Sequence, residues 1–113
     1  MVVLINLEDG RPDSNYALNK LQSTIRRYSY SKDICLIIIH GYGSSGVGGT
    51  IREKVRNWLS FQKGNKIIKK ILYGEKFSVF DSDSREVIKK YPSLSSYLDK
   101  FNHGVTFVII WIM

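Results

Sequence analysis

Residues 36–50 read LIIIHGYGSSGVGGT: an apolar run that began at Ile34, a histidine, five glycines in nine residues, then threonine. Glycine loses the most conformational entropy on ordering, so a turn this rich in it needs positive φ angles or a very close backbone approach. Beyond the turn, Ile51, Val55, Trp58 and Leu59 recur with helical spacing. A strand, a glycine turn and a helix in that order restrict the chain to an α/β fold. The unbroken apolar run further implies a strand covered on both faces or lying at a sheet centre.

The remaining segments extend the pattern. Residues 1–7 (MVVLINL) read as a strand ending in Glu-Asp-Gly, and Pro12-Asp13-Ser14 announces a helix whose apolar positions include Leu18, Leu21, Ile25 and Tyr28. The glycine turn leads into a helix over 49–61. Residues 66–73 (KIIKKILY) follow a Gly-Asn helix stop and favour a third strand over a helical turn. The final apolar run, 105–112, supplies a fourth. Between them, Asp83 and Glu86 have the spacing of a helix cap with Val87, Ile88 and Tyr91 behind it. Pro92 stops that helix, and Ser93 opens a second short one carrying Leu94, Tyr97, Leu98 and Phe101. The order is β-α-β-α-β, short helices, β. Right-handed crossovers make the first three strands parallel, and an antiparallel last strand is expected.

Length and composition fit one domain over 1–113, since 43% apolar residues can fill one core and nothing marks a boundary. The longest apolar run falls well short of the roughly 20 residues that cross a bilayer, so no membrane contact is expected. No signal-peptide pattern opens the chain, and Cys35 stands alone between Ile34 and Leu36 as a core thiol. A reducing, cytoplasmic location follows. The net charge of +7 favours polyanionic partners without naming one.

Two phosphate-binding templates fail. Gly41-x-Gly43-x-x-Gly46 has dinucleotide spacing, but it follows the second strand and lacks the acidic residue about 20 positions later that would hold a ribose. Gly43-x-x-x-x-Gly48-Gly49-Thr50 has nucleotide-hydrolase spacing, but Gly49 stands where that loop needs lysine.

A third pattern fits. His40-Gly41-Tyr42-Gly43, a small-residue turn and then IREKVRNWL over 51–59 resemble the core motif of the Smr (small MutS-related) domain. Residues 2–28 sit where that family's first strand and helix sit, and Asn102-His103-Gly104-Val105 resembles its glycine-led last strand. The resemblance implies a two-layer βαβαββ sandwich, similar to the C-terminal domain of a translation initiation factor, with a helical insertion over about 74–102. It implies DNA or RNA as partner, with nicking or cleavage in several members. The family's first strand ends in Leu-Asp-x-His, whereas this chain has Ile5-Asn6-Leu7-Glu8. Asn6 and Glu8 therefore replace the Asp and His implicated in cleavage, which favours binding over catalysis.

The candidate residues follow from these readings. His40 is either a tether of the turn or, with Glu8, a catalytic acid–base group. Gly41, Tyr42, Gly43, Ser44, Ser45, Gly46, Gly48, Gly49 and Thr50 lead into a helix N-terminus, where free amides and the dipole attract anions. Arg52 lies against that dipole and Arg56 one turn on, both suited to phosphate. Tyr42 can stack a base or pack across the loop. Lys63, Lys66, Lys69, Lys70 and Lys76 either track a phosphate backbone or guard an edge strand. Asp81 and Asp83 read as helix caps. An antiparallel last strand would bring His103 to the same sheet end as His40 and Glu8; neither metal nor cofactor is expected. The alternatives to simple binding are an endonuclease using His40 and a protein-interaction module or homodimer formed through 74–102.

Overall fold

In the computed structural model, residues 1–8, 13–31, 33–41, 48–62 and 67–110 are described. Strands β1 (Val2–Asn6), β2 (Ile34–Ile39), β3 (Ile68–Tyr73) and β4 (Val105–Ile110) form one sheet in the order β1-β2-β4-β3. β1 runs parallel to β2, while β4 runs antiparallel to both β2 and β3. The first three strands thus point one way and the last runs against them, as the sequence implies; its place between the second and third is seen only in the fold.

Helices α1 (Ser14–Tyr28) and α2 (Gly48–Gln62) cover one face. α1 starts where Asp13 accepts a hydrogen bond from the Tyr16 amide at 2.8 Å, and it buries Ala17, Leu21 and Ile25 at four-residue spacing. α2 buries Ile51, Val55 and Leu59 in the same way. Both stripes meet Ile34, Leu36 and Ile38 of β2 and Val108 and Ile110 of β4.

The intervening side chains of β2 and β4, Cys35, Ile37, Phe107 and Ile109, point to the opposite face. There the segment between β3 and β4 packs Phe77, Val87, Tyr91 and Leu94 over them. The Phe77 and Phe107 ring centroids lie 4.6 Å apart, and Tyr97 meets Phe107 edge-on at 5.3 Å. The insertion therefore adds a third layer to the sandwich. It also explains why β2 and β4 are apolar along their length: neither face meets water. Burial pushes the Cys35 thiol up to about 12, which keeps it protonated and unreactive.

The insertion departs from expectation in detail. It comprises a 3-10 turn (Gly74–Lys76), helix α3 (Ser82–Lys90) and a 3-10 stretch (Pro92–Tyr97). Asp81 caps α3, accepting from the Ser84 amide at 2.9 Å, whereas Asp83 turns outward and joins Glu86 in holding Lys70 at 2.9 and 2.7 Å. Lys70 is thus tied to carboxylates rather than offered to a phosphate backbone, and Lys63 and Lys66 lie outside the described residues. No Ser93 cap forms, because the 3-10 stretch begins one residue earlier, at Pro92. Tyr91 and Leu94 are buried in the core, so they are not the partner surface expected of them; Phe101, past the last turn, is exposed at φ +52°. Among the described residues, no helix is long and apolar enough to cross a membrane.

Candidate functional site

The topology gathers one set of polar groups at the end of the sheet where β1, β2 and β3 finish and β4 begins. In α/β sheets the carboxyl ends of parallel strands are where ligands bind. The Gly104 carbonyl accepts from the His40 and Gly41 amides at 2.9 and 3.1 Å, which fixes the exit of β2 beside the entry to β4. Gly41 has φ +74°, and a β-carbon there would stand 2.2 Å from a Glu8 carboxylate oxygen. The angle is what favours glycine here, since the Glu8 side-chain end can move aside. Glu8 lies against Gly41, at the same sheet end as His40.

His40 is fully buried, and both ring nitrogens are occupied. Nδ1 lies 2.7 Å from the Gly41 carbonyl, which can only accept, so Nδ1 carries the proton. Nε2 then accepts from the Thr106 hydroxyl at 2.8 Å. The Thr106 oxygen in turn accepts from Arg56 Nε at 3.0 Å. The result is a directed chain, Arg56 to Thr106 to His40 to the Gly41 carbonyl. Burial, opposed by the Gly41 bond and reinforced by the charges of Arg56 and Arg52, lowers the His40 pKa to about 4. At neutral pH the ring is uncharged and has no free lone pair. That geometry is the one expected of a tether of the turn, and an acid–base role would require the ring to leave one of its two partners.

Arg56 is likewise engaged within the protein. Only 8% exposed, it donates through Nη1 and Nη2 to the two oxygens of Glu75 at 2.7 Å each, through Nη2 to the Val105 carbonyl at 3.2 Å, and its guanidinium lies 4.0 Å from the Tyr73 ring centroid. Four of its five N–H donors are thus engaged within the protein. Glu75 begins the insertion immediately after Gly74, where a β-carbon would stand 2.3 Å from the Asn102 carbonyl oxygen. That close approach brings the carboxylate onto the arginines. Burial would raise the Glu75 pKa, but the hydrogen bonds and charge of Arg56, with help from Arg52, bring it down to about 2.

Arg52 is different. It shares Glu75 through one bond of 3.0 Å, keeps 32% of its side chain exposed, and its Nε has no hydrogen-bond partner among the described residues. The first turn of α2 contains no acidic residue, so nothing there offsets the charge. His103, half exposed, stands 3.7 Å from the same carboxylate. The two guanidiniums share the one Glu75 carboxylate, and Arg52 holds it by the single, longer bond; Glu8 is the second carboxylate at this sheet end. Thr50 is exposed beside it, and Gly48 and Gly49 open the helix. Tyr42, Gly43, Ser44, Ser45 and Gly46 lie outside the described residues.

The site residues that the sequence reading missed are Glu75 and Thr106. Thr106 carries a signal in hindsight, as the one polar residue inside the apolar run of β4. Glu75 carries none, since its role depends on a turn that only the folded chain reveals. Among the described residues, no three His, Cys, Asp or Glu side chains come together to hold a metal.

In comparison with known families, the model described as the Smr domain matches residues 13–73, from the cap of α1 to the last residue of β3. Comparison with curated proteins and with solved structures found no match. Glu75, His103 and Thr106 lie beyond the matched stretch.

Proposed function

This chain belongs to the Smr domain family, and on that premise we propose that it binds nucleic acid at the α2 corner and holds the strand without cutting it. The observation that carries the reading is Arg52: a guanidinium held by one carboxylate bond and partly exposed, one turn into α2, whose first turn holds no acidic residue. A cation there is disfavoured by the helix dipole, and an arriving phosphate reverses the sign by satisfying both the guanidinium and the free amides. The charge of +7 supplies the long-range attraction.

The same geometry argues against strand cleavage through His40 or Asn6. His40 is neutral, buried and bonded at both nitrogens, while the Asn6 side chain is spent on the Glu8 amide at 2.9 Å. Neither offers a base within reach of a scissile phosphate. Incubation with supercoiled plasmid and with structured RNA, with and without magnesium, tests this half of the reading. Intact substrates are expected; cleavage that His40→Ala abolishes would contradict it.

A further inference from the structure

Helix α1 presents an outward face that the corner does not use. Tyr16, Lys20, Ser23 and Arg27 fall in one stripe at intervals of four, three and four residues, opposite the buried Ala17, Leu21 and Ile25. Tyr16, Asn19, Lys20, Ser23, Thr24 and Arg27 together line an open stretch of this face. Tyr16 is 63% exposed.

The charge on this helix is one-sided. Its 15 residues include no Asp or Glu, and Arg26 and Arg27 occupy its last turn. On the other side of the sheet two lysines are paired: Lys70 with Asp83 and Glu86, and Lys90 with Asp33. Among the described residues, no ion pair involves Lys20, Arg26 or Arg27. Lys20 donates one bond to the Asn6 carbonyl at 3.2 Å, which holds its ammonium at the sheet end and leaves its other protons free. Lys54 of α2 reaches Asn15 at 2.6 Å, so the starts of the two helices are joined.

We propose that the outward face of α1 carries single-stranded nucleic acid away from the Arg52 corner, with Tyr16 stacking a base and Lys20 and Arg27 meeting phosphates. The inference rests on the nucleic-acid reading above. At a rise of about 1.5 Å per residue, Tyr16 and Lys20 stand about 6 Å apart along the helix, and Lys20 and Arg27 about 10 Å. Those intervals match an extended strand, one or two nucleotides per step. An exposed aromatic ring with cations farther along the same stripe suits unpaired bases, because every base has a π-face and a duplex hides it. An acidic peptide would use the cations and leave the ring idle.

Fluorescence anisotropy with a labelled 15-nucleotide oligothymidylate, titrated across a salt series, tests the proposal. The variants are Tyr16→Ala, Tyr16→Phe, the pair Lys20→Ala/Arg27→Ala, and Lys89→Ala on the opposite layer. Tyr16→Ala is expected to weaken binding about tenfold while Tyr16→Phe restores it. The charge pair should lower the slope of log affinity against log salt by about 1.4, at about 0.7 per phosphate contact. Lys89→Ala should match wild type. Wild-type binding that survives in every α1 variant would overturn the α1 track and leave the Arg52 corner standing. Absence of wild-type binding would overturn both. Displacement of the oligonucleotide by polyglutamate at equal charge concentration, with Tyr16→Ala neutral, would reassign the face to acidic peptides and overturn the proposal.

Discussion

Arg56 and Glu75 meet through two parallel hydrogen bonds of 2.7 Å, at the junction between the Smr fold's α2 and the first turn of the insertion. The planar guanidinium fits a carboxylate as it would a phosphate. The insertion thus brings its own anion to the corner, and it saturates one arginine while leaving its neighbour Arg52 partly free.

Glu75→Gln is expected to destabilise the fold by about 3 kcal/mol, because it leaves Arg56 buried without a counter-charge. Urea unfolding at pH 7 reads this as a lower midpoint at unchanged m-value. The same variant should bind oligonucleotides more tightly, since it releases the charge on Arg52. An unchanged midpoint would show that the pair contributes nothing net.

Stability should fall in acid in two stages. His40 has a folded pKa of about 4 against an ordinary 6.5, so between those values the unfolded chain binds a proton that the folded chain refuses. The stabilisation is complete above pH 6.5 and is lost as pH falls to about 4, at a cost of about 3 kcal/mol. Glu75, ordinarily 4.5 and here about 2, continues the loss below pH 4.5. Urea midpoints at pH 7, 5.5 and 4.5 check the first stage. His40→Gln should flatten it, whatever its own cost at pH 7.

Thr106 links His40 to Arg56 in a fully buried position. Thr106→Val keeps the shape and strands two polar atoms, for an expected loss of about 2–4 kcal/mol. Thr106→Ser should recover most of it. If Ser and Val behave alike, packing rather than the hydrogen-bond chain explains the residue.

The two glycines of the corner should respond differently to alanine. At Gly41 the added carbon meets the end of a flexible Glu8 side chain, so the main cost is the φ of +74°, about 1–2 kcal/mol. At Gly74 it meets backbone oxygens of Asn102 and Val105 at 2.3 and 2.8 Å, which cannot step aside alone. Gly74→Ala should therefore be the more damaging in thermal unfolding. The reverse order would mean that the 3-10 turn is free to shift.

Much of this architecture is legible in the residues themselves. The six apolar residues of β2 require cover on both faces, and the glycine turn after His40 carries the family resemblance. Polar pairings are harder to read. Asp81 and Asp83 present nearly equal capping patterns, and the choice between them depends on Lys70 of β3 lying where it can engage Asp83. Arg56 offers the same uncertainty: at four residues from Arg52 it looks like a second phosphate ligand. Only the turn at Gly74, set by contacts with Asn102 and Val105 far along the chain, brings Glu75 onto it. Tyr91 and Leu94 look like a partner surface until the third layer is folded down. Local pattern fixes which residues face a core; the identity of an arginine's partner is a tertiary matter.

The most direct measurement is a salt titration of binding to single-stranded and duplex oligonucleotides, with wild type and Arg52→Ala compared side by side. Wild type should bind at low salt and weaken linearly in log salt, and Arg52→Ala should bind about tenfold less tightly with a slope smaller by about 0.7–0.9. No binding at low ionic strength, or identical affinity and slope in the two proteins, would contradict an anion-seeking corner built on Arg52.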